Sequence, residues 1–299
     1  ILLVDHMPVG IWGELLPTLQ MLKAQRNPPM IVLGLRDILD APTVTRRLWQ
    51  ANGVYEAITQ YYDSVLIYGC QKVFDTSALY GLEDGLASKV NYCGYLCAED
   101  SYQSRNEVRD MLQLADRKFV VVTAGGGHDA YRMMESCMAA VRLMASEMNL
   151  HALFITGPLM DRQQRESLKK QSLGLPIQVI SHVTDPLSYM NAADLVLTMA
   201  GYNSLIEAIH LRKKTLVIPR QGPSAEQRLR TEIFARLGLL QAVDPRRATP
   251  FDLARCIVES LNAGPVENPL LPMNGLENAV GHMTSLLARR WSSQAVAMA

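Results

Sequence analysis

Short, almost continuously apolar runs recur along this chain, separated by stretches in which apolar residues return every three or four positions. The chain opens on one such run, over 1–4. Comparable runs lie at 30–33, 64–68, 90–92, 119–123, 152–156, 177–180, 195–198 and 215–218. Runs this short, rich in Val and Ile, predict strands buried on both faces. Between them the period lengthens to that of amphipathic helices, with examples at 13–24, 130–148, 162–170, 205–211 and 227–237. Doubly buried strands alternating with helices predict an α/β fold with parallel sheets covered on both sides. Right-handed crossovers then make the domains doubly wound.

The pattern breaks twice. Residues 98–117 begin Ala-Glu-Asp-Ser-Tyr-Gln-Ser and run into a short charged helix, which reads as a linker. Residues 262–274 are rich in Pro, Gly and Asn, and a final helix over 276–291 follows, with a tail expected to fray. These breaks divide the chain into domains over 1–100 and 101–275 and a C-terminal helical segment over 276–299. The first residue is Ile1, not Met, and it enters an apolar run at once. That start reads as a cut through a domain, leaving the N-terminal one incomplete. There is no short-period repeat or low-complexity tract.

Composition narrows the functional classes. Of 299 residues, 48% are hydrophobic, enough for two cores, and the formal net charge is +0. Such a balance excludes a generally basic, nucleic-acid-coating surface, so no nucleic-acid partner is expected. No apolar run reaches the ~18 residues of a membrane span, and the opening run is too short for a signal-peptide core. The cysteines Cys70, Cys93, Cys97, Cys137 and Cys256 are odd in number and scattered. They read as reduced thiols of a cytoplasmic protein rather than as metal ligands.

Three strand-to-helix junctions carry candidate chemistry. In the first, Val120-Val121-Val122-Thr123 runs into Ala124-Gly125-Gly126-Gly127-His128-Asp129 and a helix opens. Glycines admit a ligand close to the backbone, and a helix N-terminus offers free N–H groups to an anion. The spacing matches neither the dinucleotide fingerprint nor the P-loop. A tight turn with Asp129 as N-cap is the structural alternative. In the second, Leu195-Val196-Leu197-Thr198 leads through Met199-Ala200-Gly201-Tyr202-Asn203 to Ser204 and Glu207. Ser204 and Glu207 have capping-box spacing, so the Glu207 carboxylate either caps the helix or accepts hydrogen bonds from a ribose diol. In the third, Val217-Ile218-Pro219-Arg220 enters a Pro/Gly loop and a helix led by Glu226 and Gln227. All three junctions lie at carboxyl ends of strands, where open α/β sheets bind ligands. Arg212-Lys213-Lys214 reads as a solvated helix end.

Over about 119–244 the sequence resembles the glycosyltransferase family 28 type, which includes the N-acetylglucosaminyltransferase of the peptidoglycan lipid-intermediate pathway. The resemblance rests on Gly125–Gly127, His182-Val183-Thr184-Asp185, Asn191-Ala192-Ala193-Asp194, Ala200 to Glu207, and Glu226-Gln227. It implies a GT-B fold of two Rossmann-like domains, with donor binding in the C-terminal one and the final helix crossing back to the N-terminal one. It also implies transfer from a nucleoside-diphosphate sugar, a UDP-sugar, to an acceptor hydroxyl, inverting, with no metal and no cofactor. Peripheral membrane contact would come through the N-terminal domain. The donor-binding residues it implies are Gly125, Gly126, Gly127, His128, Val183, Gly201, Asn203, Ser204, Glu207, Glu226 and Gln227. Of these, Glu207 would take the ribose, Gln227 the sugar, and the backbone at Val183 the base.

Two residues depart from the family: Met199 stands where the cell-wall enzyme has Arg, and Arg230 where Asn is usual. No acidic pair of the metal-binding type stands out. No catalytic base is assigned, and His6 in the first loop reads as a bystander. Two other readings stay open: a sugar-nucleotide epimerase of GT-B-like fold, and a non-catalytic nucleotide-sugar-binding subunit.

Overall fold

A computed structural model describes residues 1–97, 102–266 and 271–298. Within the breaks noted above, residues 98–101 and 267–270 lie outside the described residues, as does Ala299. The chain forms two compact units, one from residues 1–97 with the segment from 271 on, the other from the residues between.

The first unit runs β1 (Leu2–Asp5), α1 (Leu16–Lys23), β2 (Ile31–Arg36), α2 (Pro42–Ala51), α3 (Val54–Tyr61), β3 (Ser64–Tyr68), α4 (Thr76–Tyr80), α5 (Glu83–Leu86) and β4 (Val90–Tyr92). Its sheet is parallel in the order β1-β2-β3-β4. Ile31, Val32, Leu33, Leu35, Val65, Leu66 and Ile67 are all fully buried, as doubly covered central strands require.

The second unit begins with α6 (Arg105–Met111), whose start carries a complete capping box between Ser104 and Glu107. It continues β5 (Lys118–Thr123), α7 (Tyr131–Met144), β6 (Leu150–Ile155), α8 (Arg162–Gln171), β7 (Ile177–Ile180), α9 (Pro186–Ala192), β8 (Leu195–Thr198), α10 (Tyr202–His210), β9 (Thr215–Val217), α11 (Glu226–Arg236), β10 (Gln241–Ala242) and α12 (Pro250–Asn262). The strand order is β10-β9-β8-β5-β6-β7, all parallel. Alternate residues of β5 face opposite cores. Val120 and Val122 pack with Met134, Cys137 and Val141 of α7 and Leu253 and Ile257 of α12. Phe119 and Val121 pack with Val108 of α6 and Met190 of α9. Asp194 ties α6 to the sheet: its carboxylate accepts from Arg105 Nη2 at 2.6 Å and from the Phe119 amide at 2.7 Å.

The chain then returns to the first unit as α13 (Gly275–Met298). Ser64 Oγ and His282 Nε2 lie 2.9 Å apart, and Asn278 Nδ2 donates to Cys93 O at 2.7 Å. The segment expected to fray continues this helix to Met298. The apolar pattern gives no sign of β10, because both of its residues are exposed. The Arg212-Lys213-Lys214 expectation is corrected. Lys213 donates to Asn191 O, and burial lowers its pKa to about 8. Lys214 donates to Leu261 O at 3.1 Å. These part-buried ammonium groups cap backbone carbonyls, whereas Arg212 beside them is exposed. The five cysteines are free thiols, and burial raises the pKa of Cys137 to about 12. Among the described residues no helix is long and apolar enough to cross a membrane.

Candidate active site

The strand order creates the site. From β5 the chain moves outward through β6 to β7, then returns to place β8 on the other flank of β5. The helices following β5 and β8 therefore diverge, and a crevice opens at the carboxyl ends of these two strands. The two junctions with the smallest residues end there. A Cβ built on Gly125 would lie 4.0 Å from Ser204 Oγ, so the two loops are neighbours.

The three glycines are not equivalent. Gly127 has φ +85°, and a Cβ there would meet Thr156 O at 1.8 Å. Its bareness is dictated by the loop after β6, which packs backbone to backbone, Leu159 N donating to Gly126 O at 2.9 Å. Gly125 is also left-handed, at φ +60°. Gly126 is not, and its Cβ would meet only the Leu159 side chain, at 3.2 Å. Gly125 and Gly126 are exposed at the crevice while Gly127 is buried. Asp129 is not an N-cap: α7 starts at Tyr131 after Ala130, and no side chain caps it.

The capping-box reading of Ser204 and Glu207 is overturned. The helix α10 starts at Tyr202 with Gly201 as its N-cap. Ser204 is therefore already in the first turn, and Glu207 is too far along to reach the N-cap amide. Among the described residues the Glu207 carboxylate has no hydrogen-bond or ion-pair partner. It is half-buried, and that burial raises its pKa. Asn203 is exposed beside it, and the first-turn amides of α10 have no partners within the helix.

The third junction is braced from below. Arg230 is fully buried, donating to Glu226 Oε1 at 2.8 Å and to Ala200 O at 3.1 Å. Its guanidinium lies 5.5 Å from the centre of the Tyr202 ring. Ala200 has φ +64°, a left-handed conformation that costs a non-glycine residue ~1–2 kcal/mol and needs such support. Gln227 Oε1 accepts from the Arg220 amide at 3.1 Å, and its NH2 group has no acceptor among the described residues. Arg220 Nη1 reaches Asp129 Oδ2 at 3.2 Å and so joins the third junction to the first. The sequence pattern shows Arg220 at the third junction and Arg230 as a departure from the family, but not that they reach Asp129 and Ala200, because those lie far along the chain.

Residues 119–275, about half of the chain, match the family described as Glycosyltransferase family 28 C-terminal domain. The chain belongs to this family. A curated relative, the UDP-N-acetylglucosamine--N-acetylmuramyl-(pentapeptide) pyrophosphoryl-undecaprenol N-acetylglucosamine transferase of Clostridioides difficile, is 23% identical over 158 residues, 52% of this chain. The match spans 38% of that relative's length. Among solved structures, a putative UDP-N-acetylglucosamine 2-epimerase from Listeria monocytogenes aligns with TM-score 0.64 at 12% identity, covering 96% of this chain and 81% of that one. MurG from Acinetobacter baumannii aligns with TM-score 0.50 at 15% identity, covering 88% and 91%. The fold is GT-B, with two Rossmann-like units of parallel sheet.

Within this family 28 domain the remaining candidates are less closely gathered. Val183 follows β7, two strands out from β5, and packs against the core face formed with Val121 and Ile155. His128 is exposed and has no partner among the described residues. Glu226 is held by Arg230, with its side chain 17% exposed. A cavity of about 400 Å³ opens beside the first junction, lined by Asp129, Arg132, Ser136, Met199 and Arg220 among others.

Proposed function

We propose that this chain carries the donor site of a glycosyltransferase that moves a sugar from a UDP-sugar to an acceptor hydroxyl, with inversion and without a metal ion. The observation that carries this reading is Glu207: a half-buried carboxylate, one and a half turns into the helix at the switch point, without a partner among the described residues. A carboxylate accepts hydrogen bonds from both hydroxyls of a ribose and donates none, and burial strengthens such bonds. The exposed backbone of Gly125 and Gly126 and the first turn of α10 at Gly201, Asn203 and Ser204 offer N–H groups to the diphosphate. His128 borders that path. The backbone at Val183 faces the base, and the amide of Gln227, held through its oxygen by the Arg220 amide, meets the sugar beside Glu226.

The acceptor oxygen attacks the anomeric carbon as the bond from that carbon to the diphosphate oxygen breaks. The electron pair leaves with UDP, and the acceptor proton passes to a general base. Amide dipoles and cationic side chains stabilise the charge that develops on the leaving oxygen. In the curated relative's name the donor is UDP-N-acetylglucosamine, which supports uracil as the base here.

Isothermal titration with UDP tests the assignment. Glu207→Ala loses charge-assisted bonds of about 1.5–3 kcal/mol, roughly a 10–100-fold rise in Kd, with little change in melting temperature. Equal affinity for UDP in variant and wild type refutes the ribose role. Transfer that stops in the presence of a chelator and returns with added metal refutes the metal-free mechanism.

A further inference from the structure

The donor reading leaves open which side chain meets the charge of the diphosphate. Arg220 stands just beyond the end of β9, one strand over from β8. Its guanidinium spans the end of β8 to pair with Asp129, which lies two residues beyond Gly127. Both members of the pair are part-exposed, 31% and 41%, and ion pairs of this kind are weak because water competes for each partner. Arg220 Nε is buried and has no hydrogen-bond partner among the described residues. An unsatisfied N–H of this sort disfavours the resting conformation of the side chain.

The surrounding cavity adds a second guanidinium. Arg132 is exposed on its wall and has no ion pair among the described residues. Two cations therefore face one carboxylate, and Met199, at the end of β8, contributes only apolar surface. The space is large enough for a phosphate group, and a guanidinium fork matches phosphate oxygens in pairs.

We propose that Arg220 is the residue that binds the terminal phosphate of the donor's diphosphate, handed over from Asp129 when the nucleotide enters. The proposal rests on the donor reading above. Asp129 keeps the guanidinium at the mouth of the glycine loop, and the donor's diphosphate, with one negative charge on each phosphate and oxygens that pair with the guanidinium fork, displaces it. Arg132, lining the same cavity, adds long-range attraction.

The test measures binding of uridine, UMP and UDP to the full 299-residue chain and its Arg220→Ala and Arg220→Gln variants by isothermal titration. Both variants are expected to melt with the wild type and to bind uridine as it does, UMP nearly so, and UDP at least tenfold more weakly. Asp129→Asn is expected to tighten UDP binding several-fold, and to do so only when Arg220 is present. UDP affinity unchanged by either Arg220 substitution overturns the proposal, as does an equal loss for all three ligands. A wild-type chain that binds none of the three ligands overturns the donor reading itself, a different outcome from binding that ignores Arg220.

Discussion

The three successive glycines allow the structural and the ligand-facing demands on one loop to be separated by alanine substitution. At Gly127 an alanine meets two penalties. Its φ of +85° is left-handed, which costs ~1–2 kcal/mol. Its Cβ would lie 1.8 Å from Thr156 O and 2.9 Å from Thr156 C, both backbone atoms that cannot rotate aside. The loop after β6 must then shift, adding about 1–3 kcal/mol. The sum is roughly 2–5 kcal/mol, and at 2–4 °C per kcal/mol for a unit of this size the melting temperature should fall by roughly 4–20 °C.

Gly126→Ala is expected to behave differently. Its φ is not left-handed, and its new methyl group would meet only Leu159 Cδ1, on a side chain that is 66% exposed and free to turn. Stability should stay within about 1 kcal/mol of wild type, or rise, because alanine restricts the unfolded chain. UDP affinity should nevertheless drop about tenfold, since the methyl group occupies the approach to the backbone N–H groups. Thermal melts followed by circular dichroism, with titration of UDP into each variant, read both quantities. A Gly127→Ala protein that melts with the wild type refutes the steric argument. A Gly126→Ala protein that binds UDP normally removes Gly126 from the donor site.

Three further outcomes follow from the charged groups. Burial raises the pKa of Glu207, so the folded chain holds its proton to higher pH than the unfolded chain; the resulting instability is fully present above that window and vanishes below it. Glu207→Gln should therefore melt higher than wild type at neutral pH, with the gap closing as pH falls through the carboxylate range, and a gap that ignores pH contradicts this. Asp194 behaves oppositely. Burial pushes its pKa up, but the Phe119 amide and Arg105 outweigh it and hold it low, so its contribution is present above the unfolded pKa and lost as pH falls through the folded one. Asp194→Asn should cost about 1–3 kcal/mol at neutral pH and much less in acid, as melts across pH will show. Arg230→Met strands the Glu226 carboxylate and should cost about 3–5 kcal/mol, with part recovered in the Arg230→Met/Glu226→Gln double variant; equal stability of the two variants refutes the coupling. Incubation with UDP-N-acetylglucosamine alone distinguishes an epimerase, which alone would return an altered sugar nucleotide.

Much of the fold is legible along the chain. The strands at 64–68, 90–92, 177–180 and 195–198 coincide with β3, β4, β7 and β8: β3 and β8 are buried at every position, and β4 and β7, at the sheet edges, keep apolar residues on either side of the polar Asn91 and Gln178. The junction loops are legible too, since Gly125–Gly127 and Ala200–Gly201 interrupt that pattern at strand ends. The local pattern was less informative where two explanations share one signature. Ser204 and Glu207 have the spacing of a capping box, yet helix α10 starts at Tyr202, where the loop above Arg230 ends. Lys213 and Lys214 look like a solvated helix end, yet carbonyls from α9 and α12 accept hydrogen bonds from them.

The sequence by itself determined nine of the ten described strands, the helices that carry the candidate junctions, and where small residues expose backbone, because each of these is written in a few consecutive positions. Tertiary structure decided that β8 lies beside β5, that Gly127 serves packing while Gly126 faces the crevice, and that Arg220 and Arg230 reach into the site. The contacts responsible are Asp129 with Arg220, Ala200 with Arg230, and Gly127 with Thr156. Each joins residues far apart in sequence, and local periodicity carries no information about such pairs.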